Sequence, residues 1–180
     1  YDLQPDWVWI KERNGATNQM LTDSVRGATK TLHSQNTDTE STDAQALKSF
    51  NSDGFTVGTD GDVNTSSDTY VAWNWKKTAD AGFDIVSYTG NGSARTISHS
   101  LSAVPGWIIV KNRDEGESWA IYHHKNTSAP ATDYLALNDT HATTDSNTRW
   151  NDTAPTSSVF TVGTSDVVNK NTIKYIAYLF

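Results

Sequence analysis

Apolar residues in this chain come in short runs, each closed by a cluster of Gly, Asn, Asp, Ser or Thr. Such runs are too short for most helices and fit strands between polar turns. In the second half they predict strands near Phe83–Tyr88, Ala94–Leu101, Trp107–Asn112, Trp119–His124, Tyr134–Leu137, Val159–Val162 and Ile173–Phe180. Gly90-Asn91-Gly92, Asp114-Glu115-Gly116 and Ala129-Pro130 supply turn signals between them. In the first half the same reading gives strands near Trp7–Lys11, Gln19–Thr22, Phe55–Val57 and Tyr70–Trp75. Asp43–Phe50 reads instead as one or two helical turns. Several strands are apolar at both parities: Tyr175, Ala177 and Leu179 point one way, Ile176, Tyr178 and Phe180 the other. Strands covered on both faces belong at the centre of a sandwich or at an interface. The expected fold is all-β, an antiparallel β-sandwich.

The pattern also repeats. Pro5-Asp6-Trp7-Val8-Trp9-Ile10-Lys11-Glu12-Arg13 is echoed by Pro105-Gly106-Trp107-Ile108-Ile109-Val110-Lys111-Asn112-Arg113. Phe55-Thr56-Val57-Gly58-Thr59 returns as Phe160-Thr161-Val162-Gly163-Thr164, and Tyr70–Trp75 as Tyr175–Phe180. The chain is therefore a duplicated β unit, with a first repeat over 1–80 and a second over 81–180. The two are expected to form one compact pseudo-symmetric body, two tandem sandwiches being the alternative. On this alignment Phe50 takes the place of Trp150, Met20 falls near that of Trp119 and Asp23 near that of Tyr122. Two strands precede Pro105 but only four residues precede Pro5. The first repeat thus lacks an opening hairpin, and a fragment of a longer chain is expected, an incomplete cap being the alternative.

Composition narrows the function classes. A net charge of −7 over 180 residues argues against a nucleic-acid face, which needs a basic stripe, and against an anionic membrane surface. No apolar run approaches the roughly 18 residues of a membrane-spanning helix, so membrane insertion is not expected. Cysteine is absent, which excludes disulfides and thiolate metal sites. Stability has to come from packing, and seven Trp, seven Tyr and five Phe can provide it.

Four segments together carry a family resemblance: Ser52–Gly58, Gly90–His99, Val104–Arg113 and Trp150–Phe160. They resemble a poorly characterised repeat domain of tailed bacteriophages, marine ones especially, found in tail-fibre-like and other virion structural proteins. The resemblance implies a lectin-like jelly-roll sandwich and a place in the virion, on the surface of an extracellular particle. It brings no catalytic residues with it. That family often has Cys where Asn74 stands here and Gly where Ser100 stands.

Catalytic chemistry finds little support. A glycosidase needs two facing carboxylates. Asp114, Glu115 and Glu117 form the densest acidic cluster, but in a hairpin turn, where such residues are ordinarily just solvated. His123 and His124 are adjacent in a strand and point to opposite faces, and His33, His99 and His141 lack ligand spacing. No Gly-x-Ser-x-Gly elbow is present. No catalytic residue and no transition-metal site is assigned. The loops Gly58–Asp62 and Asn51–Gly54 leave room for calcium as the one cofactor, although their Asp, Asn and Gly are also ordinary turn residues.

Aromatic residues are the best functional handle, because sugar faces stack on Trp and Tyr while amides and His supply hydrogen bonds. Trp119, Tyr122, His124 and Trp150 are the candidate ligand-binding residues; the repeated Trp7, Trp107, Phe55, Phe160, Tyr70 and Tyr175 read as core. Lys11, Lys111, Arg13 and Arg113 recur at strand ends and read as ion pairs or solvated edge charges. The expectation is a non-enzymatic virion protein, a tail-fibre or surface-fibre module that touches host surface glycans. Its partners would be other virion proteins, and homo-oligomerisation would add avidity. A purely structural decoration or assembly subunit is the alternative, and a glycan-degrading enzyme a third class.

Overall fold

A computed structural model describes residues 3–180. The chain divides into two compact units, Tyr1–Lys77 and Thr78–Phe180. Nearly all of the regular structure is antiparallel β-sheet, and the sheets are open rather than closed into barrels.

Unit 1 contains β1 (Trp7–Glu12), β2 (Met20–Asp23), β3 (Lys30–His33), β4 (Ser41–Thr42), β5 (Leu47–Asn51), β6 (Gly54–Val57), the one-turn helix α1 (Gly61–Asn64) and β7 (Tyr70–Trp75). A five-stranded sheet runs β4-β3-β2-β1-β7, and β5 and β6 form a separate hairpin. A strand buries one face only if a second layer covers it. Here Val8 and Ile10 of β1 and Met20 of β2 meet Leu47 of β5 and Val63 of α1, with Phe50, Phe55, Val57 and Tyr70 packed around them.

Unit 2 contains β8 (Asp84–Thr89), β9 (Arg95–Ser98), β10 (Trp107–Asn112), β11 (Ala120–His123), β12 (Asp133–Ala136), β13 (Thr144–Asp145), the one-turn helix α2 (Asn147–Trp150), β14 (Val159–Val162), the one-turn helix α3 (Asp166–Asn169) and β15 (Lys174–Leu179). Its main sheet has six strands, β13-β12-β11-β10-β15-β8, and β14-β9 forms the facing layer. The parity read from sequence places Ile108, Val110, Tyr122, Tyr175, Ala177 and Leu179 in the core between the layers, against Ile97, Phe160, Val162 and Trp150. Burying each such large side chain is worth about 1.5–3 kcal/mol. Ile109, Ile176 and Tyr178, of opposite parity, are buried as well.

The duplication is visible at the level of hydrogen bonds. The Tyr175 hydroxyl donates to Asp166 O (2.6 Å) and accepts from Lys170 N (2.8 Å), which ties β15 to both ends of α3. The Tyr70 hydroxyl does the same in unit 1, donating to Gly61 O (3.0 Å) and accepting from Thr65 N (2.9 Å). The left-handed residues Ser67 (φ 72) and Thr172 (φ 68) occupy matching turns.

That register corrects three alignments. Gly58 N donates to Ala46 O and Gly163 N to Arg149 O, so Leu47, not Phe50, stands where Trp150 stands. Trp7 pairs with Asp23 and Trp107 with His123, so Asp23 matches His123 and Gln19 matches Trp119. Asp43–Phe50 is not helical: Asp43 caps a turn through Gln45 N (2.6 Å) and Leu47 opens β5. The helical turn forms only in unit 2, where the indole of Trp150 anchors it through Asp133 O (3.1 Å). Leu47 has no such donor.

Candidate functional site

Three of the four residues expected at a ligand surface are buried. Trp119 is fully buried, with the Lys111 ammonium 5.9 Å from its ring centroid. Tyr122 and Trp150 pack edge to face in the unit 2 core, centroids 6.2 Å apart. Burial also pushes the Tyr122 hydroxyl up from its ordinary value. Only His124 is exposed, packed beside Gly106. These four residues therefore do not form a binding surface. Lys111 is likewise no solvated edge charge: it is fully buried and donates to Glu117 O (2.6 Å). The acidic turn is structural too. Glu115 pairs with Lys170 (2.8 Å), and Asp114 accepts from Lys174 N (2.9 Å).

The aromatic surface lies instead on the outer face of the unit 1 sheet. Antiparallel pairing sets Trp9 of β1 opposite Trp73 of β7, and Trp7 opposite Trp75. The period-two alternation then turns Trp9, Lys11, Trp73 and Trp75 to the side away from Val8 and Ile10. Trp9 and Trp73 meet edge to face, centroids 6.1 Å apart, and Trp75 lies 4.4 Å from Trp7. With Lys11 and Gln19 they line an open cleft of about 300 Å³. Among the described residues Trp73 is the most open Trp, Tyr or Phe, 47% exposed.

The polar groups of the cleft are held in place. Gln19 accepts at its amide oxygen from the Trp9 indole N–H (3.1 Å) and from the Ser34 hydroxyl (2.8 Å). Both acceptor lone pairs are thereby used, and the amide nitrogen is left as the donor. The Lys11 ammonium donates to Gly15 O (3.1 Å) at the rim. The result is an apolar, aromatic floor with fixed donors at one end, the general form of a small-ligand site.

A second cleft of similar volume, about 300 Å³, lies on the outer face of the unit 2 sheet among Trp107, Ile121, His123, Leu135, Ala136 and Leu137. His123 Nδ1 accepts from Lys125 N (3.2 Å), so its neutral ring carries the proton on Nε2. In unit 1 the counterpart of His123 is Asp23, which pairs with the buried Arg26 at 2.5 Å. The linings of the two clefts contain no carboxylate. Among the described residues no group of three or more His, Asp or Glu is placed to hold a metal ion.

Of the loops weighed for calcium, Gly58–Asp62 uses its carboxylates internally. Asp60 caps α1 through Asp62 N (2.9 Å), and Asp62 accepts from the Asn18 side-chain amide (2.9 Å). Asn51 lies in the β5–β6 turn and donates to Thr56 Oγ1 (2.9 Å).

The sequence pattern did not single out Trp9, Trp73 or Trp75 as site residues. One signal was present: Asn74 stands between Trp73 and Trp75 where the second repeat has Leu179. A polar residue on the core parity marks a strand that the second layer does not cover.

The chain belongs to the family described as Domain of unknown function (DUF7483), whose model matches residues 1–180. No curated protein and no solved structure matches it. Among the described residues no helix is long and apolar enough to cross a membrane.

Proposed function

We propose that this DUF7483 domain is a non-catalytic binding module of a bacteriophage virion, part of a tail or surface fibre, that contacts host-surface glycans through the Trp9–Trp73–Trp75 cleft. The virion assignment rests on the motif resemblance. The glycan assignment rests on one structural observation: Trp73 is 47% exposed and sits edge to face with a Trp9 whose indole is fixed by Gln19. A contiguous exposed aromatic surface of this kind marks a site that a ligand covers in use. A sugar ring suits this floor. Its C–H face packs on indole, and its hydroxyls accept from Lys11 and the Gln19 amide. A net charge of −7 disfavours anionic polymers and favours neutral glycans.

One shallow cleft gives weak binding, so the reading requires several copies in the particle. The test is a broad glycan array probed with multimerised, labelled protein beside its Trp73→Ala and Trp119→Ala forms. Saturable binding that Trp73→Ala abolishes supports the proposal. Trp119→Ala serves as the control for a buried ring. A folded multimer that binds no glycan overturns it and leaves the second reading, a structural virion subunit.

A further inference from the structure

We infer that unit 1 is an acceptor for a β-hairpin of the β8–β9 type, donated by a further repeat of the same kind. The evidence is internal, because unit 2 shows the acceptor filled. There β8 pairs along the whole of β15, from Lys174–Thr89 to Leu179–Asp84, and β9 pairs along β14, from Val159–Ser98 to Val162–Arg95. Unit 1 has the counterparts of both acceptor strands and, among the described residues, neither donor. β7, the counterpart of β15, ends its sheet, and β6, the counterpart of β14, pairs only with β5.

Three features of unit 1 fit the absent hairpin. The first is burial. Ala177, Tyr178 and Leu179 are fully buried, whereas their counterparts Ala72, Trp73 and Asn74 are exposed. The second is a cavity of about 380 Å³ lined by Leu3, Pro5, Asp53, Gly54, Phe55 and Asn74. In unit 2 the counterparts of Phe55 and Asn74 are Phe160, which pairs with Ile97, and Leu179. Both pack there in one core with Ile97 and Leu101. The cavity is thus where the inward side chains of a β9-type strand belong.

The third feature is Asn64. Its counterpart Asn169 is fully buried and clamps the β8–β9 turn, donating to Ser93 O (2.6 Å) and accepting from Asn91 N (3.0 Å). Asn64 keeps only the intra-unit bond, to Gly58 O (2.7 Å), and is exposed. The receiving turn keeps its shape, with Ser67 left-handed as Thr172 is. In unit 2 that turn grips Gly90, whose N–H donates to Ile173 O (2.7 Å).

The mode is strand addition: main-chain pairing gives affinity, and pockets for alternate side chains give specificity. The donor pattern is therefore that of Phe83–Leu101, with two inward apolar residues on the first strand (as Val86 and Tyr88), Gly at the turn, and inward Ile and Leu on the return (as Ile97 and Leu101). The donor lies beside β7 and over the β6 side. Trp9, Lys11 and Gln19 lie outside its footprint, but its first strand would flank Trp73, whose counterpart Tyr178 pairs with Ile85 and is fully buried, so amide exchange rather than glycan binding is the readout that tests the acceptor.

The test copies Phe83–Val104 directly ahead of Pro5 in the full chain, the same junction that Val104–Pro105 makes in unit 2. Amide hydrogen exchange of β6 and β7 is the readout. Protection of the Ala72 and Asn74 amides rising by about tenfold or more is the expected result. Asn64→Ala, harmless to that protection in the parent chain, then abolishes the gain. Unchanged protection in a folded graft overturns the inference. A synthetic Phe83–Leu101 peptide added in trans covers the case in which the graft does not fold. It must protect the same amides, its Ile97→Asp form must not, and failure of both peptides alike also overturns the inference. If the parent chain gains the protection by itself on forming concentration-dependent dimers, a second copy is the donor and the assignment to a further repeat fails.

Discussion

Replacing Asn169 by alanine is expected to destabilise unit 2 far more than replacing its counterpart Asn64 destabilises unit 1. Asn169 is fully buried. Its amide donates to Ser93 O at 2.6 Å and to Gly163 O at 2.8 Å and accepts from Asn91 N at 3.0 Å. Alanine removes all three bonds and leaves their backbone partners without a donor or acceptor. At about 1 kcal/mol per net bond, the loss is about 3 kcal/mol, and more where a stranded partner stays shielded from water. Asn64 makes one such bond, to Gly58 O at 2.7 Å, in an exposed setting that water can re-satisfy. Its loss should cost about 1 kcal/mol or less. Urea titration of the full chain, followed by amide exchange at α1 and α3, separates the two. With a urea slope of about 1–3 kcal/mol per molar, Asn169→Ala should lower the unit 2 midpoint by about 1–3 M. Equal costs for the two variants would refute the claim that Asn169 is the clamp of the β8–β9 turn. They would also remove one support from the acceptor reading of unit 1.

The remaining predictions probe the core, the cleft, the backbone and the charges. Trp150→Ala should cost about 3–5 kcal/mol in urea unfolding, because it empties a buried site in a close-packed core, whereas Trp73→Ala should stay within about 1 kcal/mol. Gly163→Ala would set a Cβ 2.3 Å from Thr148 O. The backbone must then shift, and thermal melting should show a loss of about 1–3 kcal/mol. Asp60 titrates above its ordinary value: burial raises it, and Asp43 and Asp62 add repulsion against the counter-pull of the Asp62 N–H. A raised folded value means stability that is present below the ordinary aspartate value of 3.8 and lost as pH climbs through the folded value. Asp60→Asn keeps a good cap. It should therefore stabilise unit 1 near neutral pH by a few tenths of a kcal/mol, the charges being largely exposed, and give no gain below about pH 3.8. Equal gains at both pH values would show that the charge on Asp60 is not the cause.

The strands were legible because alternation is a covalent property of extended chain: once Val110 faces the core, Ile108 must as well, and Ile109 must not. The duplication was legible because it conserves groups with more than one job. Tyr70 and Tyr175 each bury a ring and bolt a helix with the hydroxyl, so neither is easily replaced. The connections carry no such double duty, and the errors collect there. The matching ends of the repeats show that residues were inserted but not where. The insertions follow His123 and Trp150, in loops that pack little, and so Phe50 was set against Trp150 when Leu47 holds its place.

The site was hidden for a different reason. A Trp has the same chemistry in a core and on a surface, and only what stands across from it decides which it is. Trp119 is sealed by the buried stem of Lys111, and Trp150 by Tyr122 and a bond to Asp133 O. Trp73 is exposed because its strand ends the sheet, a fact of pairing that no single residue announces. The difference between repeats does announce it. Where Leu179 has Asn74 as its counterpart, and where Asn64 keeps the type of Asn169 but not its bonds to a hairpin turn, unit 1 has the acceptor strands of unit 2 with, among the described residues, no β8–β9 hairpin on them. Departures between the copies, more than the features they share, locate what unit 1 does that unit 2 does not.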